Sequence, residues 1–204
     1  LSVIYSALYP NKVKNLVTHV TPVDFSTNDG LLFRWSKDMD FDLLVDANHG
    51  LIPGEFLNQG FDMLKPMMKA QKQQTMTNSL DDKNKLLNFL RMEKWIAESP
   101  DQAGECFRQF MKDLYQQNKL VKGELEVGGK KVNLKNLTAP LLNIFATEDH
   151  LVPPAATKPL NDLVGSTDKE LYSFKGGHIG VFVGSKSQKE LAPAVTSWLK
   201  KRDN

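Results

Sequence analysis

The sequence predicts an α/β fold interrupted by a mainly helical insertion, and three observations predict it. Strand-like and helix-like segments alternate near both ends of the 204-residue chain, whereas its middle is dominated by helical periodicity. Leu141 to Ala146 is a short apolar run bounded by Pro140 and Thr147, the pattern of a central parallel strand covered on both faces. Pro153-Pro154 follows shortly after, and proline is tolerated in the first turn of a helix, so a helix returns behind that strand.

Taken in order, Leu1, Ile4 and Leu8 recur at helical spacing, with Val3 and Ala7 widening the apolar face. No capping residue precedes them, so the chain is expected to open inside a helix, with the upstream strands absent. Tyr9-Pro10-Asn11 is a turn, Val13 to Val20 a buried strand, and Thr21-Pro22-Val23-Asp24 its end. In the insertion, Leu86, Leu87, Leu90, Trp95 and Ile96 follow helical spacing. Ser99-Pro100-Asp101-Gln102 reads as a capping box with proline at the first helical position. The helix after it is expected to carry Ala103, Cys106, Phe107, Phe110, Met111, Leu114 and Tyr115 on one face. Glu124 to Asn133 reads as a small hairpin around Gly128-Gly129. A helix from Pro153 through Val164, a strand from Glu170 to Phe174 and a closing helix from Gln188 to Lys201 complete the α/β part. The expected division is 1–26 and 134–204 as a core portion, with 27–133 as a helical cap insertion.

Composition excludes several function classes. Lys and Arg number 26 against 24 Asp and Glu, a balance that argues against a nucleic-acid or polybasic membrane binder. No apolar run approaches the roughly 20 residues needed to span a bilayer. The single cysteine, Cys106, cannot form an internal disulfide and fits a reducing compartment. The histidines and the cysteine show no paired metal-ligand spacing, and no Gly-rich phosphate loop is present, so neither metal nor cofactor is expected.

Two segments carry the chemistry. Thr147-Glu148-Asp149-His150 directly follows the central strand, and Gly176-Gly177-His178-Ile179-Gly180 follows the next one. Ligand and catalytic groups of open α/β sheets gather at the carboxyl ends of strands. An acid there, Asp149, accepts a hydrogen bond from an imidazole, His178, fixing its tautomer and balancing its charge. Glycines around His178 are expected to let the backbone turn sharply. Acid then histidine is the second half of the α/β-hydrolase order of nucleophile, acid and histidine. The nucleophile is expected on an elbow upstream of Leu1.

Other side chains are read as structural. Cys106 sits on an apolar helical stripe, where free cysteine behaves as a small hydrophobe. Ser2 is expected to be shielded inside the opening helix, His19 to belong to the core, and His49 to a turn. His150 is a candidate to support the site from behind Asp149. Trp35, Trp95 and Trp198 are expected to pack in the core or cap.

The chain resembles the polyhydroxyalkanoate synthases, in particular the two-component class III type. The matching stretches include Lys14-Asn15-Leu16-Val17-Thr18, Asp24-Phe25-Ser26-Thr27 and Ser99-Pro100-Asp101-Gln102-Ala103-Gly104-Glu105. They continue through Phe107-Arg108-Gln109-Phe110, Tyr115-Gln116-Gln117-Asn118-Lys119-Leu120, Glu148-Asp149-His150-Leu151-Val152-Pro153-Pro154 and Gly176-Gly177-His178-Ile179-Gly180. The resemblance implies an α/β-hydrolase core with a helical cap, and polymerisation of (R)-3-hydroxyacyl-CoA into a storage polyester with release of CoA. It implies Asp149 and His178 as acid and base. The family's nucleophile is a cysteine in a Gly-x-Cys-x-Gly-Gly box, which residues 1–204 do not contain. It also implies a companion synthase subunit, a homo-oligomer and cytoplasmic storage granules. A serine-type esterase or depolymerase on the same fold, and a non-catalytic binding fragment, remain the alternative classes.

Overall fold

A computed structural model describes residues 1–64 and 66–203. The chain divides into two compact units, one formed by Leu1–Met39 with Lys112–Asn204 and the other by Asp40–Met111.

The first unit opens with helix α1 (Ser2–Leu8), which buries Val3, Ser6 and Ala7 and leaves Ser2 exposed, contrary to the expected shielding. Ser2 is the first residue of that helix. Strand β1 (Leu16–His19) is shorter than the run from Val13 suggests. The short helix α2 (Leu31–Trp35) buries Phe33 and leaves Trp35 41% exposed.

The second unit starts with α3 (Phe41–Ala47), whose N-cap Asp40 accepts from Leu43 N. A two-residue strand β2 (Leu51–Ile52) follows, then α4 (Gly54–Leu64), α5 (Met67–Thr77) and α6 (Lys83–Ala97). Asp82 caps α6 by accepting from Asn84 and Lys85 N–H groups. The predicted capping box at Ser99 does not start a helix. Asp101 instead accepts from Gly54 N at 2.9 Å, and β3 (Gln102–Ala103) pairs antiparallel with β2, so the chain stays extended. Helix α7 (Gly104–Gln109) begins only afterwards. Arg108 on α7 binds Asp42 and Asp46 of α3 at 2.5 and 2.8 Å, and Phe41 meets Phe107 edge-on, which ties the two helices. Trp95 is 62% exposed and therefore not a core residue.

A π-helical turn (Phe110–Gln116) continues α7. Burial follows the line Phe107, Met111, Leu114 and Tyr115, while Ala103, Cys106 and Phe110 lie on the neighbouring, exposed line. Cys106 is thus a surface thiol and not a core residue.

Within the first unit the chain resumes with α8 (Lys119–Lys122) and the hairpin of β4 (Glu126–Val127) with β5 (Lys130–Lys131). Gly128 and Gly129 both have positive φ, as the predicted turn requires. Strand β6 (Leu141–Ala146) is buried along its whole length. The helix predicted from Pro153 to Val164 is two short helices, α9 (Pro154–Thr157) and α10 (Leu160–Leu163), because Pro159 between them supplies no N–H to the helical ladder. Strand β7 (Lys169–Phe174) precedes a π-helical turn (Ser187–Leu191) and the closing helix α11 (Ala192–Lys200).

The main sheet is fully parallel with the order β1-β6-β7. Val20, Leu142, Ile144, Ala146, Phe174, Val181, Leu191 and Trp198 form the apolar core on one face. Inside β6 sits one buried polar residue, Asn143. Its carbonyl accepts from Thr18 Oγ1 at 2.8 Å, and its amide donates to Thr157 O and Asn161 Oδ1. A single side chain thereby joins β1, β6, α9 and α10. β7 carries Lys169 and Glu170 exposed, and such charges discourage pairing at a sheet edge.

Candidate active site

The parallel ladder aligns the ends of β6 and β7, with Ala146 opposite Phe174. It continues past the strands, where Thr147 N donates to Phe174 O and Glu148 N to Gly176 O. The two turns that carry the acid and the histidine are therefore stitched together before either side chain is placed.

Asp149 is held by an Asx-type turn, in which its Oδ1 accepts from Leu151 N at 2.9 Å and Val152 N at 2.8 Å. The other oxygen, Oδ2, accepts from Nδ1–H of His178 at 2.7 Å. The carboxylate side chain is fully buried and the imidazole is 24% exposed. Burial strengthens this bond relative to water, and the two backbone donors meet the remaining need of the carboxylate for partners. With Nδ1 occupied, Nε2 of His178 is the nitrogen left to exchange a proton.

The glycines before His178 act differently from the expectation. Neither Gly176 nor Gly177 has positive φ. A Cβ on Gly176 would meet the Phe174 ring, whereas one on Gly177 would make only an ordinary contact with Glu148 O. Close approach, and not a sharp turn, is what demands glycine at 176.

His150 is half-buried directly after Asp149, and His49 is an exposed turn residue with φ 53°. His19, at the end of β1, is half-buried, and its ring lies 5.7 Å from that of Phe182. Phe182 also meets His178 edge-on at 6.3 Å. The roles of Leu151, Val152 and Phe182 at this site are not among the expectations from sequence. For the first two the signal is Asp followed two and three residues on by N–H groups ahead of Pro153, an Asx-turn pattern. Among the described residues no three His, Cys, Asp or Glu gather as a metal set, and no helix is long and apolar enough to cross a membrane.

A parallel sheet with an acid after one strand and a histidine after the next defines the α/β hydrolase class, and residues 1–185 match the α/β hydrolase fold family. The chain belongs to that family. Its resemblance to polyhydroxyalkanoate synthases is borne out by similarity over nearly its whole length. It is 55% identical over 202 residues to the poly(3-hydroxyalkanoate) polymerase subunit PhaC of Allochromatium vinosum, covering 98% of this chain and 57% of that one. It is 50% identical to the subunit of the same name from Synechocystis sp., covering 98% and 55%, and 40% identical to that of Haloferax mediterranei, covering 99% and 42%. The chain thus spans about half the length of the curated relatives it matches. The solved monoacylglycerol lipase of Paleococcus ferrophilus superposes with a TM-score of 0.55 at 15% identity, covering 98% of this chain and 64% of that one, which shows a shared fold.

Proposed function

We propose that this chain supplies the acid and base of a polyhydroxyalkanoate synthase, which polymerises (R)-3-hydroxyacyl-CoA and releases CoA. The observation that carries the reading is the 2.7 Å bond between His178 Nδ1 and the buried Asp149, in a chain half identical to polymerase subunits. The nucleophile is a cysteine in a Gly-x-Cys-x-Gly-Gly box upstream of Leu1. Cys106 does not serve, since Phe107-Arg108-Gln109 follow it and it lies on an exposed helical face.

In this mechanism Nε2 of His178 takes the proton of the cysteine thiol, and the thiolate attacks the thioester carbonyl. CoA leaves as its thiol when that proton is returned, and an acyl-enzyme remains. Nε2 then takes the proton of the 3-hydroxyl of a second acyl unit, whose oxygen attacks the acyl-enzyme; the ester bond forms, the acyl–sulfur bond breaks, and Nε2 returns the proton to the departing cysteine sulfur. Asp149 holds the imidazole in the tautomer with Nδ1–H and balances its charge in each transfer. Chain growth requires that water, the competing acceptor, be kept from the acyl-enzyme. A companion subunit and residence on storage granules complete the proposal.

The test is His178→Ala in the full-length protein, with CoA release and polymer both measured. CoA release falls by orders of magnitude if His178 is the base, and a parent-like rate removes that role. Free hydroxy acid in place of polymer from the unaltered protein identifies a hydrolase instead.

A further inference from the structure

At the carboxyl end of β1 the backbone takes a turn that a β-branched residue resists. Val20 has φ 43°, in the left-handed region where such side chains are outliers. Packing holds it there. Val20 is buried in the core cluster with Phe174 and Val181, and its N–H donates to Ile144 O at 2.8 Å. Strained residues of this kind cluster at active sites and ligand clamps. The neighbour of Val20 is His19, whose ring is fixed at the carboxyl rim of the sheet, opposite Ile144 in the ladder.

Phe182 stands between His19 and His178, with ring centroids 5.7 and 6.3 Å away, and it is 57% exposed. An open aromatic ring against a candidate catalytic base is suited to an apolar chain. His19 adds a polar element to the same wall. Its Nδ1 is buried and has no hydrogen-bond partner among the described residues. A buried N–H without an acceptor costs more than a buried lone pair without a donor, so Nδ1 is unprotonated and Nε2 carries the hydrogen. Burial also pushes the imidazole pKa down, which keeps the ring neutral near pH 7. Such a ring is a hydrogen-bond donor and a poor base.

We propose that His19 is a substrate-binding residue, its Nε2–H holding an oxygen of the acyl group while the hydrocarbon part lies on Phe182. The inference rests on the acyl-CoA reading above, because an acyl unit that alternates hydrocarbon with oxygen matches an aromatic face beside a single donor.

The experiment uses the full-length protein with ¹⁵N-labelled histidine. The expected His19 signals at pH 7 are a protonated Nε2 and an unprotonated Nδ1, with Nε2 shifting on addition of (R)-3-hydroxybutyryl-CoA. In CoA-release kinetics, His19→Leu loses about three- to tenfold in kcat/KM, carried mainly by KM, the loss expected for one hydrogen bond. His19→Gln, which keeps a side-chain N–H, recovers most of it and also serves if the leucine variant does not fold. A protonated Nδ1, an unchanged KM in His19→Leu, or a fall in kcat as steep as that of His178→Ala overturns the proposal. If the unaltered protein releases no CoA, the polymerase reading fails, and the tautomer with the Nε2 shift still decides this one.

Discussion

A Cβ built on Gly176 would stand 2.7 Å from Cε1 of the Phe174 ring, two residues before His178 in the same turn. Phe174 is the last residue of β7 and belongs to the buried core, so the ring has little freedom to retreat. We expect Gly176→Ala to destabilise the fold by about 1–3 kcal/mol, the usual range for overpacking. Gly177→Ala, whose added carbon would meet only Glu148 O at 3.8 Å, should stay within about 0.5 kcal/mol of the parent. Urea denaturation of the two variants checks the contrast, and equal losses would refute it.

Asp149→Asn separates holding from chemistry. Asparagine keeps a carbonyl oxygen for Leu151 and Val152 N–H, so folding should survive. Its amide nitrogen cannot accept from His178 Nδ1–H, and the imidazole loses both its tautomer control and its counter-charge. CoA release from the full-length variant should fall by about 10²–10⁴-fold at unchanged circular dichroism. A folded variant with the parent rate would count against the pair.

The network around Asn143 is a stability device. Replacing Asn143 with Leu leaves Thr18 Oγ1 and Asn161 without their buried partner, while Thr18→Val removes only one bond. The expected costs are about 2–4 and about 1 kcal/mol, measured by chemical denaturation. Reversal of that order would mean the network relaxes onto other partners.

Asp168 supplies a pH signature. Both its oxygens accept from Arg202 at 2.6 Å, and this hydrogen bonding holds its carboxyl below the usual carboxylate range. A depressed folded-state pKa contributes stability above the unfolded value of about 3.9 and loses it as pH falls through the folded value. Asp168→Asn should therefore be less stable than the parent at pH 7, and the difference should vanish on strong acidification. A gap that persists at pH 2 would trace the effect to packing.

Much of this arrangement is legible in the sequence because its signals are local. The apolar run of β6, broken only by Asn143, and the short spacing from strand end to Asp149 need no tertiary information, and His178 stands at a similarly short distance, four residues, past the end of β7. What reads badly depends on distant partners. Ser99 to Gln102 has every local mark of a helix start, yet Asp101 is taken by Gly54 N and Gln102 by a strand partner at Ile52. Cys106 lies one position from the buried line of its helix, a rotation that periodicity alone does not resolve. The wall formed by His19 and Phe182 is invisible in sequence, since 163 positions separate residues that meet only once the sheet is ordered.

The pairing of Thr18 with Asn143 joins residues 125 positions apart. Because closure entropy grows only logarithmically, lengthening the intervening chain twofold costs about 0.6 kcal/mol, so the insertion is cheap at equilibrium. Time is another matter. At about 5–20 residues per second of synthesis, β1 leaves the ribosome roughly 6–25 s before β6 exists to pair with it. During that interval an apolar strand with unused backbone donors must be kept from other nascent chains. The compact unit Asp40–Met111 emerges in the meantime, and all of it precedes the partner strand that β1 awaits.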